Sequence, residues 1–168
     1  MSGAAMKNPH NRDRAGRTPL HYAVIDGPDG SANDWKLTNP AEREAARKRS
    51  TDYRFDNAYQ LIANGADVNA RDNEDWTPLH AAAREDSPEV VKLLLDSGAD
   101  INAINGRGQT PIRIAAANTK SSGTGVLQLL RERGADPFLK GEGSASAIEY
   151  LKMVEKDPQV DAIFADLL

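Results

Sequence analysis

A four-residue motif, Thr-Pro-Leu-His in its first two copies, recurs along this chain. Thr77-Pro78-Leu79-His80 is followed 33 positions later by Thr110-Pro111-Ile112-Arg113, and an earlier copy begins at Thr18. A second motif, Gly-Ala-Asp, recurs with the same spacing from Gly65 to Gly98. Two motifs that share one period indicate repeated copies of one small structural unit, each packed mainly against its neighbours. This period constrains the chain to a stacked-repeat architecture.

The most regular copy of the unit, residues 72–105, carries signals for two short helices. Thr77, followed by proline, predicts the start of the first helix, and Ser87, also followed by proline, predicts a capped start for the second. Gly98 predicts the end of the second helix, because glycine adopts a positive φ without steric cost. Helices this short cannot bury their apolar faces alone, so the unit needs neighbours.

A 33-residue period with Thr-Pro-Leu-His is typical of ankyrin repeats. The chain resembles that family over residues 12–168, and the resemblance implies an all-α ankyrin-repeat solenoid of about four helix-turn-helix repeats with short β-turn arms. We place the repeats at about 13–71, 72–104, 105–140 and 141–168. The fourth is degenerate, as terminal repeats often are. Residues 1–11 are polar and unpatterned, and we expect them to be a disordered lead-in.

The first repeat is longer than one period by 26 residues, because 59 positions separate its motif from the next one. We place the insertion at residues 27–52, between the two helices of the repeat. Asn39, followed by proline, predicts a helix start, and no glycine or proline occurs from residue 41 to residue 63. One continuous helix and a helix broken at Ser50-Thr51-Asp52 are both compatible with this pattern.

The composition excludes several classes of protein. The chain has no cysteine, so it cannot form a disulfide framework, a thiolate metal site or a cysteine nucleophile. It has no apolar run of membrane-spanning length and no apolar signal segment at its start, so we expect a soluble cytoplasmic protein. The formal net charge of −4 argues against general binding to nucleic acid or anionic membranes, and indicates a protein partner of basic or mixed charge.

The residues that could carry chemistry favour structural roles. His21 and His80 occupy the fourth motif position, where the resemblance implies hydrogen bonds to the motif threonine and to backbone near the repeat junction. The aspartates of Gly-Ala-Asp recur once per repeat, which indicates turn geometry rather than a catalytic pair. No phosphate-binding loop, metal-spaced cluster or nucleophile elbow occurs in the sequence. We therefore predict no enzymatic activity, no catalytic residue, no metal site and no cofactor.

The insertion suggests an alternative function. Its helix carries five basic residues: Arg43, Arg47, Lys48, Arg49 and Arg54. Three acidic residues lie among them, which leaves a charge of only +2 over residues 41–54. A solvated helix face is the better interpretation, and a nucleic-acid-associated regulator or scaffold is the alternative function.

The aromatic residue that precedes the second motif is the main candidate for recognition. The resemblance implies that the position of Trp76 faces the concave side and varies with the partner, and tryptophan is common at interface hot spots. Covering its own arm is the alternative role. By the same correspondence, the candidate partner-binding residues are Arg14, Arg17, Tyr22, Asp26, Asn73, Glu74, Trp76, Arg84, Glu85, Arg107, Gln109 and Asn118. Ile25 and Ala117 are selected in the same way, whereas Trp35 is expected to hold the insertion against its own repeat.

These features predict non-catalytic recognition of another protein through the concave surface, edged by the insertion. The sequence shows no effector, kinase or DNA-binding motif, so we expect the chain to act by occupying its partner, as an inhibitor or an assembly factor. Small stand-alone ankyrin proteins that it resembles include bacterial immunity proteins that block a toxin. That role is the more specific hypothesis.

Overall fold

The computed structural model describes residues 8–28, 38–85, 87–122, 124–154 and 157–167. Within these ranges the chain forms eight α-helices and no strand. The helices are α1 (Pro19–Ala23), α2 (Pro40–Ala63), α3 (Pro78–Ala82), α4 (Pro88–Asp96), α5 (Pro111–Ser122), α6 (Gly125–Glu132), α7 (Ala147–Met153) and α8 (Pro158–Ile163). The predicted all-α class is confirmed.

The helices pack in two layers. The first helices of successive pairs, α1, α3, α5 and α7, lie side by side in one layer, and α2, α4 and α6 lie side by side in the other. The layers are joined where α1 packs on α2, α3 on α4 and α5 on α6. Helices of five residues, such as α1 and α3, are not stable in isolation, so their stability comes from these neighbours.

The third position of the motif supplies the centre of the core in each repeat. Leu20, Leu79 and Ile112 are fully buried, and Ile148 takes the equivalent place in α7 with 3% exposure. Phe164, at the end of α8, is also fully buried. Burying one side chain of this size stabilises a fold by about 1.5–3 kcal/mol. Each repeat therefore contributes one large apolar side chain to the core from the same motif position.

The helices of the second repeat begin and end at the predicted signals. Thr77 Oγ1 accepts a hydrogen bond from the backbone N–H of His80 at 3.4 Å, at the start of α3. Gly98, just past α4, has a φ of +90°, and Gly65 and Gly134 have φ values of +87° and +85° at the equivalent positions. These angles belong to the left-handed region, where glycine is the favoured residue. The helix stop predicted at Gly98 is confirmed.

The capping role predicted for Ser87 is wrong. Ser87 is the residue before α4, but its hydroxyl makes no capping hydrogen bond. It accepts a hydrogen bond from Nη1 of Arg54 at 3.0 Å and lies 3.4 Å from the hydroxyl of Thr51. Arg54 is only 6% exposed, and a buried guanidinium requires hydrogen-bond acceptors inside the protein. The serine therefore joins α2 to the start of α4 instead of capping its own helix.

The helix predicted to start after Asn39 is a single continuous helix, α2. Asn39 caps α2 as predicted, since its side-chain oxygen accepts a hydrogen bond from the N–H of Ala41 at 2.9 Å. The helix then runs for 24 residues with no break at residues 50–52. Residues 29–37 of the predicted insertion, including Trp35, lie outside the described residues. No helix in the described ranges, α2 included, is both long and apolar enough to cross a membrane.

The start of the described chain packs against the arm of the second repeat. Residues 8–11, part of the expected lead-in, form a turn in which the N–H of Asn11 donates to the carbonyl of Asn8 at 3.1 Å. Residues 1–7 lie outside the described residues. Nη1 of Arg12 donates to the carbonyl of Gly16 at 2.8 Å and to that of Arg71 at 2.5 Å. This arginine therefore links the first two arms.

The arms that connect successive repeats also touch one another through their backbones. Three backbone hydrogen bonds join neighbouring arms. The N–H of Asn73 donates to the carbonyl of Ala15 at 2.8 Å, and the N–H of Gly106 donates to the carbonyl of Glu74 at 2.8 Å. The N–H of Gly141 donates to the carbonyl of Gly108 at 2.9 Å. These hydrogen bonds keep the arms at the spacing of the helix layers. The residues that lead from each arm into its helix are thus held in a row.

Candidate partner-binding groove

An aspartate or asparagine at the start of each arm organises the backbone that enters the next helix. Asp72 Oδ1 accepts hydrogen bonds from the N–H groups of Glu74 and Trp76, each at 2.9 Å. Asp13 and Asn105 make the same two bonds, to residues two and four positions ahead, in the neighbouring arms. Such side-chain turns fix the residue just before each motif. Sequence patterns alone did not single out these three residues, although an Asp or Asn recurs five positions before each motif threonine.

The motif histidines join each repeat to the next. His21 Nδ1 accepts from the N–H of Thr18 at 3.1 Å, so the ring proton is on Nε2, which donates to the carbonyl of Trp76 at 2.9 Å. His80 makes the equivalent bonds within its own motif and to the carbonyl of Gln109 at 3.1 Å. Burial lowers the pKa of both imidazoles, that of His80 to about 4, so both rings are neutral at pH 7. The structural role expected for the two histidines is confirmed.

A groove of about 360 Å³ lies where three successive arms meet the first helices of their repeats. Seven of the predicted partner-binding residues line it: Arg17, Glu74, Trp76, Arg84, Arg107, Gln109 and Asn118. Ile25 and Ala117 line it as well. The structure adds five residues that the sequence correspondence did not select: His21, Asp72, Ala81, Arg113 and Ile114. We refer to this surface as the groove.

The other five predicted residues lie outside the described lining: Arg14, Tyr22, Asp26, Asn73 and Glu85. The amide of Asn73 donates to the carbonyl of Arg14 at 2.9 Å, between neighbouring arms. The Tyr22 hydroxyl donates to Asp13 Oδ2 at 2.5 Å, and Glu85 Oε2 lies 3.6 Å from Nη2 of Arg54. Asp26 is exposed. The side chains of Asn73, Tyr22 and Glu85 are thus engaged within the protein, whereas Arg14 takes part through its backbone carbonyl.

Trp76 is held firmly in the groove. Its backbone N–H donates a hydrogen bond to Asp72, and its carbonyl accepts one from His21. Its half-buried ring packs against the core, and lies 5.8 Å from the His80 ring at an angle of 57°. A side chain already fixed in this way loses little conformational entropy when a partner covers it. Trp76 both covers its own arm and presents part of its indole to the groove.

A family model of ankyrin repeats, in three copies, matches residues 44–140, which is more than half of the chain. The chain belongs to the ankyrin-repeat family. Ankyrin repeats are generally protein–protein interaction modules, and the family is generally not enzymatic. In the part of this ankyrin-repeat chain that the structure describes, no group of three or more His, Cys, Asp or Glu residues could hold a metal ion.

A similar ankyrin-repeat segment occurs in a much larger protein. Human transient receptor potential cation channel subfamily A member 1 is 32% identical to this chain over 95 residues. The aligned segment covers 51% of this chain and 8% of the channel subunit. The similarity therefore concerns a repeat region and a small share of that relative's length.

The charges that line the ankyrin groove differ from the charge of the whole chain. The described lining includes four arginines and two carboxylates. Arg17 Nε lies 3.4 Å from Asp72 Oδ2, and in the next arm Arg107 Nη2 lies 3.1 Å from Glu74 Oε2. The net charge of −4 led us to expect a basic or mixed-charge partner, and the groove does not support that expectation. A partner responds to the local charges of the binding surface, and the net charge of the whole chain does not reveal these.

The basic residues of α2 do not form one exposed stripe on this ankyrin fold. Arg54 is buried and bonded to Ser87, with Glu85 as a second partner. Lys48 Nζ lies 3.3 Å from Asp52 Oδ2. Phosphate binding needs several accessible, uncompensated cations. The nucleic-acid alternative therefore loses at least one of the five residues on which it was based.

Proposed function

We propose that this ankyrin-repeat chain binds another protein through the groove and acts by occupying it, as an inhibitor or a stabiliser. The observation that carries the proposal is the placement of Trp76, a rigidly held and half-buried indole, among charged side chains from three successive repeats. Protein interfaces commonly have an aromatic centre that supplies affinity and a charged rim that governs encounter. The groove has both parts.

The proposed role is non-catalytic. The two buried histidines are neutral, and both ring nitrogens of each are hydrogen-bonded to backbone. Neither imidazole therefore has a free nitrogen to exchange a proton with a ligand. The four carboxylate and guanidinium groups in the two ion pairs of the groove are engaged with one another. The groove presents a partner with contact surface, charged side chains and an indole ring. These features suit protein binding.

Neutralisation of a toxin is the more specific form of this proposal. An immunity protein needs no chemistry of its own, because covering a partner's working surface is sufficient. A rigid groove suits this role, since pre-organisation reduces the entropic cost of tight binding. Such a protein would act in the cytoplasm, where its partner is made. Co-expression with the identified partner would show whether growth is rescued.

Site-specific photo-crosslinking tests the use of the groove. A benzophenone amino acid replaces Arg107, whose side chain is 66% exposed at the groove, and separately Tyr59, which is 52% exposed on α2 outside it. Both proteins are irradiated in extract of the native host, and the adducts are identified by mass spectrometry. We expect one protein to crosslink from position 107 and not from position 59. A partner that crosslinks only from position 59 would refute the groove as the site.

A further inference from the structure

We infer that the groove receives an acidic segment of the partner, with an aspartate or glutamate side chain seated against the guanidinium of Arg113. This inference rests on the proposed function and specifies the chemistry of the partner. Arg113 occupies the fourth position of the third motif, where the first two motifs have His21 and His80. At that position, a neutral side chain that bridges two repeats is replaced by a permanent positive charge.

The guanidinium of Arg113 does not reproduce the histidine bridge. Its Cζ lies 3.7 Å from the centroid of the Tyr150 ring, so the group is stacked on an aromatic face of the following repeat. The tyrosine holds the arginine in place by a cation–π contact, which leaves the in-plane N–H groups available for hydrogen bonds. The stacking therefore positions the donors without using them.

Two of those donors, Nε and Nη1 of Arg113, are closed off from solvent and donate to no acceptor among the described residues. Burial lowers the pKa of Arg113, which reflects the same lack of compensation for its charge. An unpaired buried N–H costs about 1–3 kcal/mol, and more when the group is charged. A carboxylate that reaches Arg113 from the groove would offset its charge, whereas a neutral acceptor would not offset it and a basic side chain would be repelled.

The carboxylates in the described lining are already engaged elsewhere. Asp72 pairs with Arg17 and Glu74 with Arg107, and no carboxylate of the described residues lies within 4.0 Å of the Arg113 guanidinium. Arg84, also in the lining, lies 3.7 Å from Glu85, a carboxylate that it shares with Arg54. Because Arg113 lines the groove, its uncompensated charge acts on whatever enters. A basic segment would be repelled there and an acidic one attracted.

The test uses Trp76 as a reporter of occupancy. The chain has two tryptophans, so Trp35→Phe leaves Trp76, in the lining of the groove, as the sole indole. This variant is titrated with octaglutamate, octaglutamine and octalysine peptides while indole emission is recorded. We expect octaglutamate to bind in preference to the other two, and to bind more weakly as salt is raised. Equal or preferred binding of octalysine would overturn the inference.

The deciding substitution is Arg113→His in the same background. It restores the residue that the first two motifs use, so the fold is expected to be retained, and it removes the charge. We expect octaglutamate affinity to fall at least about tenfold, the effect of losing one hydrogen bond to a charged group. Arg133→His removes an equal charge outside the groove, where Arg133 pairs with Asp96 at 2.8 Å, and should leave the affinity within about twofold. Equal losses in the two variants, or no loss in either, would overturn the inference.

Two further variants cover the case in which Arg113→His fails to fold. Arg113→Met keeps a long side chain without charge, and Arg113→Lys keeps the charge without the planar donors. We expect Arg113→Met to lose octaglutamate binding and Arg113→Lys to keep part of it. The crosslink from position 107 tests the proposed function independently, because it does not depend on the charge of the partner. If the protein crosslinked from position 107 binds Arg113→Met as tightly as the wild type, the proposed function is retained. The inference that the partner presents an acidic segment to Arg113 is then wrong.

Discussion

Nε2 of His21 lies 2.9 Å from the carbonyl oxygen of Trp76, so a side chain of the first repeat holds the backbone of the aromatic residue in the groove. The same geometry recurs one repeat later between His80 and Gln109. In both cases the acceptor is the last residue of an arm that lines the groove. The stability of the stack and the shape of the groove therefore depend on the same hydrogen bonds.

Replacing His21 with glutamine should lower the free energy of unfolding by about 1–3 kcal/mol, because the N–H of Thr18 and the carbonyl of Trp76 lose their shared partner. Urea denaturation followed by circular dichroism measures the change. His10→Gln is the control, since His10 is exposed, and should shift stability by less than about 0.5 kcal/mol. A His21→Gln variant with the wild-type midpoint would show that the bridge does not stabilise the stack.

The buried histidines should also make stability depend on pH. Burial lowers the pKa of His80 to about 4, whereas an unfolded chain has the ordinary histidine pKa of 6.5. Between these values the unfolded state binds more protons than the folded one, so stability is lost as the pH falls from about 6.5 toward 4. For His80 alone, the loss between pH 7 and pH 5 should be about 2 kcal/mol.

Protonation of carboxylates also lowers stability in acid, and the His80→Gln variant separates the contribution of His80 from theirs. The variant should be less stable than the wild type at pH 7, and the difference should shrink at pH 5, because the residue that takes up the proton is absent. Urea denaturation at the two pH values measures both quantities. A difference that is the same at pH 7 and pH 5 would mean that His80 does not titrate in this range.

The stack could be predicted from the sequence because its determinants are local. Thr77 and Gly98 act within one turn of the helices that they bound, so a short motif was sufficient to identify them. The groove could be predicted in part for the same reason. The residues just before each motif threonine, Arg17, Trp76 and Gln109, are aligned by the period itself, and all three line the groove.

The rest depended on contacts between residues far apart in the chain. Arg54 lies among charged residues in the sequence, yet it is buried because Ser87, 33 positions later, accepts its hydrogen bond. That contact also took the hydroxyl of Ser87 away from its own helix. Arg113 is recognisable in the sequence only as a departure from the motif. The position of its charge is set by Tyr150 in the following repeat.

The arm of the second repeat contains an avoidable strain. Asp75 has a φ of +59°, at the position where Gly16 and Gly108 have φ values of +76° and +71°. Residues other than glycine pay about 1–2 kcal/mol in this region, and aspartate somewhat less. Asp75→Gly should therefore raise the free energy of unfolding by about 0.5–1 kcal/mol, even though it removes the exposed ion pair with Arg71.

Asp75→Ala is the control for that substitution. It removes the same ion pair but keeps a Cβ, and alanine lacks the local hydrogen bonds that make aspartate tolerable in the left-handed region. We expect Asp75→Ala to melt below the wild type and Asp75→Gly above it in thermal denaturation. If the two variants melt at the same temperature, the backbone angle at this position does not limit stability.

Trp76→Ala should weaken binding of the groove-crosslinked partner by about 2 kcal/mol, roughly thirtyfold in Kd. The half-buried ring packs against the core, so the variant should also be less stable, and Kd is measured by calorimetry well below its melting temperature. Trp76→Phe keeps an aromatic ring and should lose less. Tyr59→Ala removes an exposed ring of similar size from α2, outside the groove, and should leave Kd unchanged. Wild-type affinity in the folded Trp76→Ala variant would place the partner on another surface of the stack.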